Sequence, residues 1–433
     1  MSDFEIGGVT HPGKSAENTS FFSSSQNAGW LESLSRKLVL QTFQQLQKGS
    51  LTLVEGDSSY HFGEAQDATS LHAHVRVHNP SVYRELLFGG SIGAAESYMM
   101  AEWTTPCLVS VVRVLCANME VLNQMDGRWS SVKGLMNRLM HKLNRNSRSG
   151  SRKNIAAHYD LGNEFFKLFL DPSLMYSSAI YPSETSTLEE ASLYKLDAVC
   201  SKLGLTQDDH LLEIGTGWGG LAIHAAKHYG CRVTTTTLSK EQYQHAKQAV
   251  AEAGLEDRIT LLLKDYRDLT GQYDKLVSIE MIEAVGHEYY PTYFSKCSSL
   301  LKDDGLMLIQ AITITDQRYE AAKNSVDFIQ KYIFPGGGLP SNTVMAQCIA
   351  NCTNMTLVDL HDIGLDYAKT LADWRERFHQ RIETVRRQGF DDVFCRMWDF
   401  YLAYCEGGFR ERVISTVQAV MAKPDARDFD PRF

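Results

Sequence analysis

Apolar and polar residues follow patterns that predict two folded regions. In the first region, residues 51–54 and 72–77 alternate as strands do. Residues 82–88 then show helical spacing after the break at Asn79-Pro80. In the second region, strand and helix patterns alternate. The predicted strands are 211–214, 232–237, 259–263, 275–279 and 306–314, and the predicted helices are 221–228, 240–253 and 289–301. This alternation predicts an α/β fold with a doubly wound, mostly parallel sheet, preceded by a smaller mixed N-terminal domain.

Changes in these patterns divide the chain into four parts. Residues 1–30 are rich in Ser, Gly and Asn and lack periodic apolar positions, so we predict disorder there. Residues 31–125 form the predicted N-terminal domain, and residues 154–433 form the main α/β domain. Between them, residues 126–153 form a basic connector with apolar residues at helical spacing. This connector is either a solvated linker or an amphipathic helix that lies on anionic headgroups.

Composition narrows the classes of protein that need to be considered. The net charge of −9 argues against general nucleic-acid binding. No uninterrupted apolar run approaches the roughly 20 residues that cross a bilayer, and the first residues do not resemble a signal peptide. The nine cysteines are scattered without a CxxC pair, which is typical of reduced thiols in a cytoplasmic protein.

A glycine-rich loop follows the first strand of the main domain. It reads Leu211-Leu212-Glu213-Ile214-Gly215-Thr216-Gly217-Trp218-Gly219-Gly220. Glycines let a backbone turn tightly against a ligand, but dinucleotide sites use them as well. A dinucleotide site would have an acid at the end of the next strand, where this chain has four threonines. Instead, Glu213 precedes the first glycine, and this order resembles the class I S-adenosylmethionine-dependent methyltransferase signature.

Further motifs resemble one family, the cyclopropane-fatty-acyl-phospholipid synthases, over about residues 70 to 420. They include Val75-Arg76-Val77-His78-Asn79-Pro80, His158-Tyr159-Asp160-Leu161-Gly162-Asn163, Met175-Tyr176-Ser177-Ser178-Ala179, Glu280-Met281-Ile282-Glu283-Ala284-Val285-Gly286, Lys331-Tyr332-Ile333-Phe334-Pro335 and Cys405-Glu406-Gly407-Gly408-Phe409-Arg410. The resemblance implies methyl transfer from S-adenosylmethionine to the double bond of an unsaturated acyl chain in membrane phospholipid. It also implies a carbocation that loses a proton to bound bicarbonate, and an N-terminal domain that dimerises and grips the membrane. We therefore expect a cytoplasmic homodimer, peripherally associated with the inner face of the membrane.

The resemblance also assigns residues. Those expected to contact the cofactor are Tyr176, Ser177, Glu213, Gly215, Gly217, Gly219, Thr237, Gln242, Tyr266 and Arg267. Glu283 and Tyr367 match residues that hold the bicarbonate, with Ile312 contributing its backbone. Cys405 matches a cysteine once regarded as catalytic, but no base lies near it in the sequence, so a structural thiol is the simpler interpretation.

The chain departs from the family at the proton-removal site. Ser178 stands where the family has a cysteine, Gln310 where it has a histidine, and Ala284 where a histidine follows the glutamate. Glu280 adds a carboxylate where family members often carry glycine. Serine and glutamine can hydrogen-bond an oxyanion but lack the proton exchange of an imidazole. We expect that methyl transfer is kept, that Glu280 or Glu283 serves as the base, alone or with a bound anion, and that the product is either a cyclopropane or a methylated alkene.

Several other candidates and classes stay open at this point. The pairs His224/His228 and Cys348/Cys352 have metal-ligand spacing, but we interpret them as a solvated helix face and core thiols. The turn at residues 334–340 either lines the acyl tunnel or is a plain loop. The alternatives to a lipid methyltransferase are a small-molecule methyltransferase and a catalytically silent lipid-binding protein.

Overall fold

The computed structural model describes residues 24–64, 71–122, 161–427 and 429–430, with only the backbone at 24–28. The predicted connector at 126–153 and most of the segment predicted to be disordered lie outside these residues. One boundary was wrong. Helix α1 begins at Ser24 and not after residue 30, because apolar residues such as Leu38 and Val39 on its later turns anchor it to the core.

The N-terminal elements form a four-stranded sheet with three helices. The strand order is β2-β1-β3-β4, in which β1 and β3 are parallel and the other pairs antiparallel. The elements are α1 (Ser24–Phe43), β1 (Ser50–Glu55), β2 (Ser58–Gly63), β3 (His72–Val77), α2 (Ser81–Met99), β4 (Trp103–Thr104) and α3 (Leu108–Ala117). Both strands predicted here are present, and the predicted helix is longer and kinked at Gly90.

The main region contains a seven-stranded sheet that is mostly parallel, as predicted. The strand order is β10-β11-β9-β8-β5-β6-β7, and β11 alone runs antiparallel to the other six strands. The strands are β5 (His210–Ile214), β6 (Arg232–Thr237), β7 (Ile259–Leu263), β8 (Tyr273–Ile279), β9 (Leu301–Ile314), β10 (Thr356–Asp362) and β11 (Ile414–Ala422). In such a sheet, ligands bind beyond the carboxyl ends of the strands. Here these ends belong to β5, β6, β8 and β9.

Helices flank this sheet and build the wall above its carboxyl edge. They are α4 (Asn163–Phe166), α5 (Leu188–Lys202), α6 (Gly220–His224), α7 (Lys240–Glu252), α8 (Tyr290–Leu300), α9 (Asp316–Lys323), α10 (Phe328–Tyr332), α11 (Asn342–Cys352), α12 (Gly364–Gln380), α13 (Ile382–Arg387) and α14 (Asp392–Arg410). The segment predicted as one helix at 221–228 is α6 followed by a π-turn. Within the described part of the chain, no helix combines the length and apolar character needed to cross a membrane.

Helix α14 joins the two regions. One apolar cluster contains residues of α2 and α3 together with residues of α12 and α14. At its edge, the Tyr98 hydroxyl donates to the Asp399 carboxylate at 2.8 Å, and Arg113 pairs with Glu411 at 2.6 Å. The N-terminal region is therefore packed directly against the wall of the site.

Candidate functional site

The glycine-rich loop follows β5 and turns into α6. Gly215, Gly217 and Gly219 all have φ in the left-handed region, at 106°, 53° and 94°. A Cβ on Gly219 would lie 3.2 Å from the Cβ of Ala246, and one on Gly220 would lie 2.6 Å from the Ser173 carbonyl oxygen. The loop therefore needs glycine at these points, because of its left-handed turns and its close packing on Ala246 and Ser173.

Glu213 lies at the end of β5, buried beneath this loop. Its Oε2 accepts a hydrogen bond from the Thr235 hydroxyl at 2.6 Å. Burial raises the pKa of Glu213 to about 8, partly offset by the Thr235 hydrogen bond and by Lys195. Lys195 and a bound sulfonium cation both favour the ionised form of Glu213, and a carboxylate at this strand end is suited to bind ribose hydroxyls. The loop and Glu213 thus fit S-adenosylmethionine.

Four more of the predicted cofactor residues lie at or beyond the carboxyl ends of β6 and β7, the strands that follow β5 in the sheet. The Thr237 hydroxyl donates to the Gln242 side-chain oxygen at 3.1 Å, which links the end of β6 to α7. Tyr266 packs edge-on against Tyr293. The Arg267 guanidinium is exposed and forms two hydrogen bonds with Asp265, at 2.9 and 2.7 Å. Its contact with a cofactor therefore remains a prediction.

Glu280 receives hydrogen bonds from three sides. It directly follows β8, and its carboxylate accepts from the Ser178 backbone N–H, from the Gln310 side-chain amide and from the Tyr367 hydroxyl, each at 2.9 Å. Its φ is 49°, a left-handed value that is rare for a glutamate. Desolvation raises the pKa of Glu280, and the three donors oppose that rise. The structure thus brings together four residues that the sequence placed at the proton-removal step.

Glu283 lies one turn further on and is held differently. Its Oε1 accepts the Ile312 backbone N–H at 2.5 Å, the group that the resemblance assigned to bicarbonate. Its Oε2 is buried without a hydrogen-bond partner. Burial raises the pKa of Glu283 to about 8, and the neighbouring Glu280 adds to the rise. Glu283 therefore carries a proton at neutral pH.

The position of Gln310 depends on a second glutamine that the sequence did not single out. In the β9/β11 pairing Gln310 lies opposite Gln418, whose amide donates to the Gln310 side-chain oxygen at 2.9 Å. The Gln310 amide therefore faces the Glu280 carboxylate and the Ser178 carbonyl oxygen, at 2.9 and 3.2 Å. Because both of these groups accept, the orientation of the Gln310 side chain is fixed.

Lys195 is a fully buried cation next to the site, and no sequence motif pointed to it. Its ammonium donates to the Ser177 hydroxyl at 3.1 Å. Burial lowers the pKa of Lys195 to about 8, against the opposing effects of Glu280, Asp171 and Glu213. Lys195 thus offsets negative charge at both the cofactor acid and Glu280.

Aromatic side chains wall the space near these carboxylates. Tyr176 packs against Trp374 with ring centroids 5.3 Å apart, and its hydroxyl lies 2.9 Å from that of Tyr401. Tyr367 meets Trp374 edge-on, and the exposed Phe334 lies against Tyr176 and Tyr401. Such faces exclude water and favour a nearby cation. Phe334 also places the turn at 334–340 beside this wall.

Bicarbonate does not fit this arrangement. The donors expected to hold it are the Tyr367 hydroxyl, the group at position 310 and the Ile312 N–H. The first two, together with the Ser178 N–H, donate to Glu280, and Ile312 donates to Glu283. A bicarbonate ion beside these two carboxyl groups would find each of these donors in use.

Cys405, His224 and His228 form none of the hydrogen bonds to Glu280 or Glu283. Burial raises the pKa of the Cys405 thiol, which therefore stays protonated at neutral pH. His224 hydrogen-bonds Asp197 at 2.8 Å, and its ring packs on that of His228. Among the side chains that the structure describes, no three His, Cys, Asp or Glu converge as metal ligands.

The protonated state of Glu283 predicts how stability varies with pH. The native protein holds this proton up to about pH 8, whereas an unfolded chain releases it near 4.5. Stability from this group is therefore lost as pH rises from 4.5 to 8. The variant E283Q cannot titrate, so we expect its unfolding free energy to lie within about 1 kcal/mol of the wild type at pH 5 and to exceed it by about 4 kcal/mol at pH 8. Urea unfolding at both pH values tests this, and an equal difference at both would contradict it.

Comparison with known proteins places this site in context. A family model described as mycolic acid cyclopropane synthetase matches residues 146–419. The tuberculostearic acid methyltransferase of Mycobacterium tuberculosis is 41% identical over 350 residues, covering 79% of this chain and 81% of the relative. The cyclopropane-fatty-acyl-phospholipid synthase of Escherichia coli is 36% identical over 355 residues, covering 81% of this chain and 88% of the relative.

A solved structure shares the fold of the main region. The mycolic acid cyclopropane synthase CmaA1, in complex with SAH and CTAB, superposes with a TM-score of 0.57 and 34% sequence identity. The match covers 62% of this chain and 97% of that protein.

Proposed function

Because the chain belongs to the mycolic acid cyclopropane synthetase family and is an S-adenosylmethionine-dependent methyltransferase, we propose that it methylates a carbon of the double bond of an unsaturated acyl chain in membrane phospholipid. The observation that carries this proposal is the Glu280 carboxylate, held by three donors beside an aromatic wall and near the cofactor loop. Methyl transfer to an alkene leaves a carbocation on the acyl chain. This site has a carboxylate that can act as the base, and aromatic side chains that exclude water and favour a nearby cation.

Each part of the site has a task in that reaction. S-adenosylmethionine supplies an electrophilic methyl group. Glu213 and the loop glycines hold and orient it, while Tyr176, Trp374 and Tyr367 keep water from the cation that forms on the chain. A carboxylate near that cation both stabilises its charge and accepts its proton.

The product that we propose is a methylated unsaturated chain and not a ring. The support is that the departures from the family lie at the proton-removal step, at Ser178, Glu280 and Gln310, while the cofactor loop is complete. The relative at 41% identity is named a tuberculostearic acid methyltransferase, a fatty acid methyltransferase by its name. A base held in a different place can take a different proton from the same cation.

We also propose that the enzyme works at a membrane surface as a peripheral, cytoplasmic homodimer on the inner face. The support is the basic connector in the sequence, which suits anionic headgroups, and the direct packing of the N-terminal region on α14. The acyl chains of a phospholipid lie inside the bilayer and must reach the aromatic wall of the site. An enzyme bound at the membrane surface shortens the distance that they have to move.

The experiment is a product analysis with methyl-deuterated S-adenosylmethionine. The protein is incubated with vesicles of mono-unsaturated phosphatidylglycerol or phosphatidylcholine, the vesicles are pelleted, and their fatty acid esters are resolved by mass spectrometry. We expect deuterium label in the acyl chain, and more of it with the anionic phosphatidylglycerol than with phosphatidylcholine. If the cation loses a proton from the acyl chain, the product keeps all three deuterium atoms of the methyl group. Ring closure or an exocyclic methylene would lose one deuterium, and a cyclopropane as main product would overturn the product assignment.

Two controls separate the alternative functions. Phosphoethanolamine offered in place of vesicles tests the small-molecule methyltransferase, which would label it and leave lipid unlabelled. Binding of S-adenosylmethionine by calorimetry without any labelled acceptor would instead favour a silent lipid-binding protein.

A further inference from the structure

We infer that this enzyme needs no bound bicarbonate. The Ser178 N–H, the Gln310 amide and the Tyr367 hydroxyl form an anion receptor, and the carboxylate of Glu280 fills it. Glu280 is itself the base that deprotonates the cation. The inference rests on the proposed function, since it concerns the same reaction. The alkene electron pair forms the new C–C bond while the C–S bond of the cofactor breaks toward sulfur. A Glu280 oxygen then takes a proton from carbon, and the C–H electron pair forms the new C=C bond. Glu280 is left as a neutral carboxylic acid, and because it is partly exposed it returns the proton to solvent.

The first support is the occupancy of the receptor. One Glu280 oxygen accepts from the Ser178 N–H and the Gln310 amide, and the other accepts from the Tyr367 hydroxyl. Three donors of this kind are what a small oxyanion requires. The chain supplies the oxyanion as a side chain, so no separate ion has to be captured.

The second support is the backbone at Glu280. Its φ of 49° disfavours any residue with a Cβ by about 1–2 kcal/mol, whereas glycine adopts it freely. Its N–H donates to the Gln310 carbonyl oxygen at 2.7 Å, so the strained conformation is tied to β9. Strain of this kind persists where function requires the side chain.

The third support is the division of protons between the two glutamates. Two carboxylates so close together cannot both ionise readily. Glu280 has three donors and Lys195 nearby, while Glu283 has one donor and a buried, unpartnered oxygen. The negative charge therefore resides on Glu280, and Glu283 is the neutral partner.

The fourth support is the replacement of a titratable group by an amide. Gln310 cannot exchange protons, and Gln418 locks it as a donor toward Glu280. A fixed donor orients a carboxylate and holds it in its ionised form. Gln310 and Gln418 are therefore better suited to a permanent side-chain anion than to a bicarbonate ion that binds and leaves.

The experiment measures lipid methylation in CO₂-free buffer with and without added bicarbonate. The wild type is expected to change less than about 2-fold. E280G removes the carboxylate, leaves a residue suited to the backbone and frees the donors, so activity should fall at least about 100-fold and recover at least about 10-fold with bicarbonate. E280Q keeps the receptor filled by an amide, so it should fall as far and show no recovery.

The outcomes separate the inference from the proposed function. The assignment of Glu280 as the base is overturned if the wild type loses activity when bicarbonate is removed and regains it when bicarbonate is added. It is also overturned if E280G stays active without bicarbonate. No labelled lipid from the wild type under either condition overturns the proposed function instead. R412G is the matched control, because Arg412 also has a left-handed φ, of 53°, but its side chain is exposed and pairs with Asp362, and the variant should leave activity unchanged.

Discussion

Replacing Lys195 by Met is expected to lower the methylation rate at pH 7 by about 10- to 100-fold and to move the acid limb of the pH profile upward by about one to two units. Methionine has a similar length and keeps the buried volume. The change removes the positive charge that lowers the pKa of both Glu213 and Glu280. Both carboxyl groups then protonate more readily, and a protonated Glu280 cannot act as a base.

The sign of the effect follows from the direction of the pKa shift. Without Lys195 the pKa of Glu280 rises further, because that ammonium opposes the desolvation that already raises it. Activity depends on the ionised form, so it should recover as pH increases. Rate profiles between pH 6 and 9 at saturating cofactor measure this directly.

The same helix offers a matched control. Lys202 lies two turns later on α5, is also buried, and contacts His361 and Asp359 at 3.0 and 3.7 Å instead of the carboxylates of the site. K202M should reduce thermal stability without shifting the acid limb. If the profile of K195M superimposes on that of the wild type, Lys195 has only a structural role.

Replacing Glu213 by Gln is expected to weaken cofactor binding by about 100-fold and to abolish turnover at ordinary cofactor concentrations. A charge-assisted hydrogen bond contributes about 1.5–3 kcal/mol, and the buried carboxylate at the end of β5 is placed to form such bonds with ribose hydroxyls. Calorimetry with S-adenosylmethionine and S-adenosylhomocysteine measures the loss.

The two ligands distinguish two ways in which Glu213 could act. If it binds the ribose, both ligands weaken equally, and if it acts through charge, only the cationic one weakens. Glu256, an exposed glutamate on the loop before β7, provides the control variant E256Q, which should bind both as the wild type does. Unchanged affinity in E213Q would place the cofactor elsewhere.

Much of the main sheet could be predicted from the sequence because short apolar and β-branched runs mark its parallel strands. Residues 232–237 and 259–263 were predicted with the bounds that the structure has. The last two strands were not predicted, since β10 is an exposed edge whose polar residues interrupt the pattern. The N-terminal boundary failed for a related reason, because the first turns of α1 lack periodic apolar residues.

Only those site residues that lie in recognisable sequence motifs could be predicted. The cofactor acid and both glutamates stand in recognisable segments, so they could be named from the sequence. Lys195 and Gln418 could not, because their roles arise from burial on α5 and from the antiparallel register of β11. Equally, the sequence showed an extra carboxylate at position 280 but not that it takes the donors expected for bicarbonate.

The left-handed backbone at Glu280 has an evolutionary consequence. A chain that already bends this way at a glycine can accept a glutamate without moving β8 or β9, because the local conformation is set by the hydrogen bond to the Gln310 carbonyl oxygen. Glycine and glutamate codons differ by a single nucleotide. One mutation can therefore exchange a diffusible base for a genetically encoded one, and free the enzyme from the dissolved carbon dioxide of its surroundings.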